Sequence, residues 1–312
     1  MKKKVFIDGS VGTTGLRIYE RLSARDDIEL LTLSEEKRKD AAARKQMLNS
    51  ADVAFLCLPD DAAREAVAMV ENPSVTVIDA STAHRTLAGW AYGFPELSPS
   101  FEEKILSSKR IAVPGCHASG FIALVYPLIE AGLIDETALL TCHSITGYSG
   151  GGKKMIADYE GEERDFLLDA PRQYALSQSH KHLKEMKAMT GLELAPMFSP
   201  IVGDFYSGMT VTVPLFASQI KGGLEEIKAV YKAKYNGDVV QYSDEIGESG
   251  FISGNDMHGK DGMKITVKGN DERILLVACY DNLGKGASGA AVECMNMVLG
   301  ADKKKGLELK KG

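Results

Sequence analysis

The sequence predicts two domains: an α/β domain with a Rossmann-like parallel sheet, then an α+β domain with a largely antiparallel sheet. Three observations predict it. Short apolar runs alternate with helical stretches through the first third of the chain, the rhythm of a doubly wound parallel sheet. The first run leads into a glycine-rich turn and then an amphipathic stretch, the order a dinucleotide-binding βα unit requires. From Ala138 onward, longer runs with tight turns replace that rhythm, as in antiparallel sheets.

In chain order, Lys4–Asp8 is the first strand, Gly9-Ser-Val-Gly12-Thr-Thr-Gly15 the turn and Leu16–Leu22 the helix. The spacing is G-x-x-G-x-x-G, so the context carries the assignment more than the pattern does. Glycines at 9, 12 and 15 allow the tight turn, and N–H groups at the helix start suit a pyrophosphate. The second strand, Ile28–Leu33, ends at Ser34, where an NAD-binding protein carries an acid for the ribose hydroxyl. A small hydroxyl followed by Lys37 and Arg38 suits a 2′-phosphate and points to NADP. Glu35 and Glu36 stand as alternative ribose ligands, and the charges also fit the solvated start of a helix through Arg44. Strands Asp52–Leu58 and Ser74–Asp79 follow, with a helix from Asp60 to Glu71 between them. Leu58–Asp60 and Asp79–Arg85 then lie at strand carboxyl ends, where such sheets bind ligands.

Ile111–Val113 is the next strand, and after Pro114-Gly115 the residue Cys116 opens a mainly apolar helix. A thiol at a helix N-terminus meets unpaired N–H groups and the positive dipole end, which favour the nucleophilic thiolate. The competing view is a small buried apolar residue, the usual fate of a free cysteine. Beyond it, strands are expected at Ala138–Thr146, Gly208–Leu215, Met263–Val267 and Arg273–Tyr280, with a helix over Gly222–Tyr235 and a closing helix to Leu299. Gly150-Gly-Gly-Lys-Lys154 lacks P-loop spacing and reads as a flexible loop offering N–H groups and a cation. Ser179-His180-Lys-His182-Leu-Lys-Glu185 holds two of the six histidines of the chain. Histidine titrates near neutrality, and Glu185 lies one turn beyond His182 if a helix starts there. A polar helix start explains the same residues. No third ligand lies near the pair, so no metal is expected.

With 312 residues, 44% hydrophobic and 26% charged, the composition is that of an ordinary globular protein with room for two domains. The net charge of -6 argues against nucleic-acid binding. No apolar run approaches a membrane span, and the basic N-terminus has no signal-peptide core behind it. Five scattered cysteines (57, 116, 142, 279, 294) fit a reducing cytoplasm. The segment 303–312 reads as a frayed, solvated tail.

These motifs occur together in one group, and the chain closely resembles the short-form N-acetyl-γ-glutamyl-phosphate reductases of the semialdehyde dehydrogenase superfamily from Gly9 to about Met297. The most specific pieces are Val113-Pro-Gly-Cys-His-Ala-Ser119, Tyr148-Ser-Gly-Gly-Gly-Lys153, His180-Lys-His-Leu-Lys-Glu-Met186 and Asp281-Asn-Leu-Gly-Lys-Gly-Ala-Ser-Gly289. Lys184 departs from the proline usual in the family, leaving both histidines and Glu185 in place. The resemblance implies a Rossmann domain, 1–115, completed by a C-terminal helix, 285–312. A catalytic and dimerisation domain, 116–284, would be of the glyceraldehyde-3-phosphate-dehydrogenase-like kind, with substrate between the domains.

Carried over by resemblance, Cys116 forms a thioester at the γ-carbonyl and His180 or His182 is the acid/base, with Glu185 beside them. Gly9, Ser10, Val11, Gly12, Thr13 and Gly15 hold the pyrophosphate, and Asn282 and Gly286 approach the nicotinamide. Arg85, Lys153 and Ser149 are placed near substrate phosphate or carboxylate. The implied reaction is NADPH-dependent reduction of an acyl phosphate to a semialdehyde in arginine biosynthesis, by a homodimer or homotetramer. Aspartate-semialdehyde dehydrogenase or another acyl-phosphate reductase is the alternative enzyme. An NADP-binding regulatory protein is the alternative outside enzymes.

Overall fold

The computed structural model describes residues 2–309. Its elements run β1 (Lys3–Asp8), α1 (Thr13–Ser23), β2 (Ile28–Leu31), α2 (Ala41–Ser50), β3 (Val53–Leu56), α3 (Asp60–Met69), β4 (Thr76–Asp79), β5 (Ala91–Tyr92), α4 (Pro99–Ser107) and β6 (Arg110–Ala112). They continue with α5 (Cys116–Glu130), β7 (Thr141–Gly147), α6 (Gly152–Glu160), β8 (Arg172–Gln173), α7 (His182–Thr190), β9 (Met197–Gly203) and β10 (Met209–Phe216). The last are α8 (Leu224–Lys234), β11 (Val240–Tyr242), β12 (Met263–Gly269), β13 (Arg273–Tyr280) and α9 (Gly289–Val298). Two compact units result: residues 2–114 with Ala287–Leu307, and Gly115–Gly286 with residues 308–309.

In the first unit six strands form one sheet in the order β2-β1-β3-β4-β6-β5, every pair parallel. Side chains alternate across a strand, so Val5 and Ile7 join one core and Phe6 the other. On the first face they meet Ile18 and Leu22 of α1 and Ala290, Ala291, Val292 and Met295 of α9. On the second, Leu48 of α2 and Ala66 of α3 cover Phe6, Ala54 and Leu56. Both faces are thus sealed, which is why these strands read as continuous apolar runs. The register sets Asp8 beside Leu56, Leu56 beside Asp79 and Asp79 beside Ala112, lining up the carboxyl ends.

The second unit carries a seven-stranded sheet in the order β11-β12-β13-β10-β7-β9-β8. Four of its six pairings are antiparallel; β11-β12 and β7-β9 are parallel. Helix α5 is buried almost throughout despite Pro127 in its interior. Proline has no N–H for the Ala123 carbonyl one turn earlier. The Tyr235 hydroxyl of the segment after α8 donates to that carbonyl at 2.6 Å, so the helix continues.

Several boundaries differ from expectation. Helix α1 begins at Thr13 rather than Leu16, and β2 ends at Leu31 rather than Leu33. Gly150–Lys154 is not a loop: a short 3₁₀ turn passes into α6, whose first turn carries Lys153 and Lys154. Strand β9 was missed because Pro200 interrupts an otherwise apolar run. The closing helix, expected to Leu299, runs Gly289–Val298, shorter than the 285–312 helix that the resemblance implied. The supposed tail is tied down as well. The Lys305 carbonyl accepts from Arg25 and from the buried Asn296, Leu307 packs on the core, and Glu308 N–H donates to Asp261. Residues 310–312 lie outside the described residues.

Candidate active site

In the first unit the glycine turn has the backbone a phosphate needs. Gly9 has φ +88°, and a Cβ there would stand 2.3 Å from the Cys57 carbonyl oxygen. A Cβ on Gly15 would stand 2.4 Å from the Gly9 carbonyl oxygen, so strand and helix meet through bare backbone. Gly12 caps α1 without any side-chain acceptor, leaving the first N–H groups of the helix directed outward. Beside this turn opens a cavity of about 820 Å³ lined by Gly9, Ser10, Val11, Tyr19, Leu31, Leu33 and Leu58. These features fit a dinucleotide: a cradle of donors for pyrophosphate and an apolar slot beside it.

The cations differ from those expected. Arg38 lines the cavity, anchored by Glu35 at 2.6 Å, and Lys39 and Arg44 join it; Ser34 and Lys37 are not among its lining residues. The last two belong instead to the cap and body of a 3₁₀ turn, Glu35–Lys37, ahead of α2. Arg44 grips Asp8 at the end of β1, with Nη2 to Oδ2 at 2.9 Å. That pairing offsets a buried carboxylate beside a site for anions. Arg85 is occupied by protein: its guanidinium donates to the Val113 carbonyl at 2.8 Å and the Ala80 carbonyl at 3.0 Å, bracing the strand end before Cys116.

In the second unit Cys116 is the first residue of α5, half-buried, with Gly115 as the cap. The Gly115 N–H donates to Glu185 Oε1 at 2.7 Å, so the carboxylate of α7 fixes the turn that presents the thiol. Sequence spacing suggested only a bond between Glu185 and its neighbour His182. Gly286 lies against Cys116: a Cβ added there would be 3.1 Å from the Cys116 Cβ. Its N–H and that of Gly284 both donate to the Asp281 carbonyl. The Asp281 carboxylate in turn accepts from Ser207 Oγ, Gly259 N–H and Leu283 N–H.

The histidines gather. The rings of His180 and His182 are 4.7 Å apart, and both lie within 6 Å of a third, His117. Phe198 packs on the edge of His117 and of His180. His117 Nδ1 shares a 2.7 Å hydrogen bond with Ser144 Oγ, and Nε2 a 2.6 Å bond with the Tyr174 hydroxyl. Burial, and secondarily the charge of His180, push its pKa down to about 3. His117 is therefore neutral at physiological pH. His180 is shifted the same way by burial and by Lys181, and its Nδ1 accepts the His182 backbone N–H at 3.2 Å. Burial and the nearby Cys116 raise the Tyr174 hydroxyl. His117 and Tyr174 escaped the sequence reading. The first adjoins Cys116, a usable signal; the second sits in a loop with none.

Lys153 is exposed on α6, and Lys184 is exposed on α7, where it does not disturb the helix. Ser149 is buried, its Oγ accepting from Asn282 Nδ2 at 3.0 Å, while Asn282 Oδ1 accepts the Gly208 N–H at 2.9 Å. Ser149 and Asn282 thus join the two loops at this end of the sheet. Among the described residues no helix is long and apolar enough to cross a membrane.

Comparison with known proteins is consistent along the chain. Residues 4–105 match the NAD binding domain model of semialdehyde dehydrogenase, and residues 116–282 its dimerisation domain model. N-acetyl-gamma-glutamyl-phosphate reductase 2 of a Nostoc species is 45% identical over 98% of this chain and 99% of its own. N-acetyl-gamma-glutamyl-phosphate reductase of Sinorhizobium medicae is 46% identical, covering 96% of this chain and all of the relative. Among solved structures, aspartate semialdehyde dehydrogenase II of Vibrio cholerae superposes with a TM-score of 0.71 over 96% of this chain and 98% of that one, at 16% identity. The Candida albicans enzyme with NADP gives 0.67 over 96% and 99%, at 18% identity. At such identities the likeness is one of fold.

Proposed function

Because the chain belongs to the N-acetyl-γ-glutamyl-phosphate reductases of the semialdehyde dehydrogenase family, we propose that it reduces N-acetyl-γ-glutamyl phosphate to N-acetylglutamate 5-semialdehyde through a thioester on Cys116. The step belongs to arginine biosynthesis. The observation that carries it is Cys116 at the uncapped start of α5, its turn fixed by Glu185 and its flank bare at Gly286. The Cys116 thiolate attacks the γ-carbonyl carbon; the carbon–oxygen bond to phosphate breaks, and phosphate departs with that electron pair. N–H groups in the first turn of α5 receive the oxyanion of the tetrahedral intermediate. NADPH, when bound, would supply the hydride for reduction of the thioester carbonyl to the aldehyde, with Cys116 leaving as the thiolate.

The proton work falls to His180. Support comes from its Nδ1, which accepts the His182 backbone N–H and so leaves Nε2 to hold the mobile proton. Burial lowers its pKa and so favours the neutral ring, whose Nε2–H is then the proton donor. His182 and the neutral His117 pack around it, and Glu185 acts on the backbone before the nucleophile. The turn from Gly9 to Gly15 would hold the pyrophosphate, and Arg38 with Lys39, both lining the cavity, would pair with the 2′-phosphate. Lys153 is the exposed cation proposed for substrate phosphate, whereas Arg85, Ser149 and Asn282 serve the backbone around the site.

Two copies pair through the outer face of the seven-stranded sheet. That face carries Met197, Pro214, Phe216 and Leu275 exposed, and register places Pro214 beside Leu275. The matching family model is described as a dimerisation domain. Five free thiols suit the reducing cytoplasm, where the pathway runs.

Reverse turnover tests the reading. N-acetylglutamate 5-semialdehyde, phosphate and NADP are mixed with enzyme, beside a parallel reaction with aspartate semialdehyde. Phosphate-dependent NADPH formation with the acetylated substrate alone, lost in Cys116→Ala, is expected. Turnover of aspartate semialdehyde instead would transfer the chain to the alternative enzyme.

A further inference from the structure

Tyr280 closes β13 and is fully buried. Its hydroxyl does not point into an apolar core; it enters the first turn of α5. It donates to the Cys116 carbonyl at 2.5 Å and accepts the Gly120 N–H at 3.0 Å. In a regular helix those two groups, four residues apart, bond to each other. Here a side-chain oxygen bridges them. Gly120 makes room for it, since a Cβ there would stand 2.7 Å from the Tyr280 oxygen and 2.7 Å from Val211 Cγ2. The preceding turn-forming bond, from Ser119 N–H to the Gly115 carbonyl at 2.8 Å, is ordinary.

The residues following Tyr280 press on the same point. Asp281 gathers the N–H groups of Gly284 and Gly286, and Gly286 rests against Cys116. Cys116 is thus held by Glu185 through Gly115, by Gly286 across its flank and by Tyr280 through its own carbonyl. The first two fix where the turn begins. The third acts on the first turn itself, on which the relative directions of the thiol and the outward N–H groups depend.

We propose that Tyr280 is a positioning residue for the nucleophile: by bridging Cys116 and Gly120 its hydroxyl holds the first turn of α5 open at the geometry in which the thiolate is stabilised. The proposal rests on Cys116 as nucleophile, and the phenol acts through it without touching substrate. Burial and the neighbouring Cys116 hold Tyr280 well above the ordinary tyrosine range, so the hydroxyl stays protonated and keeps donating.

The test is Tyr280→Phe, read two ways. Alkylation of Cys116 by iodoacetamide is followed against pH, with mass spectrometry separating this thiol from Cys57. Steady-state kinetics then separate kcat from KM. Closing the turn misplaces the thiol by about an ångström, so kcat falls roughly 10- to 100-fold. The alkylation midpoint moves to higher pH, and KM for NADPH stays within about twofold. A 3-fluorotyrosine at 280, which keeps hydroxyl and shape, restores kcat. If Tyr280→Phe does not fold, 3-fluoro- and 3,5-difluorotyrosine still report, through a graded change in the alkylation midpoint with phenol acidity. An unchanged midpoint and kcat in Tyr280→Phe, or no change across the fluorinated pair, overturns the proposal. Cys116→Ala run alongside separates the two claims: full activity there defeats the thioester reading itself, whatever Tyr280 does.

Discussion

Acidification should loosen the histidine cluster, and His117 sets the amount. Its pKa lies at about 3 in the folded unit against 6.5 for an unperturbed histidine. Between those values the unfolded chain binds a proton that the folded one refuses, so stability rises with pH through the window and falls as pH drops. From pH 7 to pH 5 the loss is about 2 kcal/mol, roughly a 30-fold larger opening constant. Native-state hydrogen exchange at the amides of α5 and β7, corrected for intrinsic exchange, reads that constant locally. Wild type should lose protection by about that factor, and His117→Asn should lose well under half as much. The residual slope belongs to His180, whose pKa burial shifts in the same sense. Equal protection at both pH values, or the same slope in the variant, would refute a neutral buried His117.

Two further outcomes concern the nucleotide unit. Gly15→Ala drives a methyl group to within 2.4 Å of the Gly9 carbonyl oxygen, forcing the phosphate turn apart. NADPH affinity by fluorescence titration should fall by about tenfold or more, the cost of one charge-assisted hydrogen bond. Arg38→Ala removes a cation from the cavity wall and should weaken NADPH by about 10- to 100-fold. NADH binding should change little, and an equal loss for both nucleotides would move the 2′-phosphate contact elsewhere.

Much of the nucleotide unit was legible because its strands are sealed on both faces and its turn needs glycine for steric reasons. Gly9 and Gly15 could be read directly. The cations could not: Lys37 and Arg38 are neighbours in sequence, yet only Arg38 lines the cavity, and Arg44 arrives from α2 to pair with Asp8. Cys116 was visible through its helix start and the two histidines through their rarity. Their supports were not, because each bond spans a long stretch of chain. Glu185 meets Gly115 across 70 residues, His117 meets Tyr174 across 57, and Tyr280 meets Cys116 across 164. Periodicity reports which face of an element is buried and is silent on such partners. Helix α6 was hidden for a different reason: three consecutive glycines suggest a loop, while only Gly152 takes a positive φ, at +73°, just where the helix begins.

The most direct test of the account is a single-turnover experiment with the acyl phosphate and no nucleotide. Enzyme and N-acetyl-γ-glutamyl phosphate are mixed, released phosphate is counted, and the protein is quenched for mass spectrometry. Attack by Cys116 before hydride transfer predicts one phosphate per active site and an acetylglutamyl adduct on Cys116, both absent in Cys116→Ala. Phosphate released only when NADPH is present, or an adduct on any other residue, would contradict it.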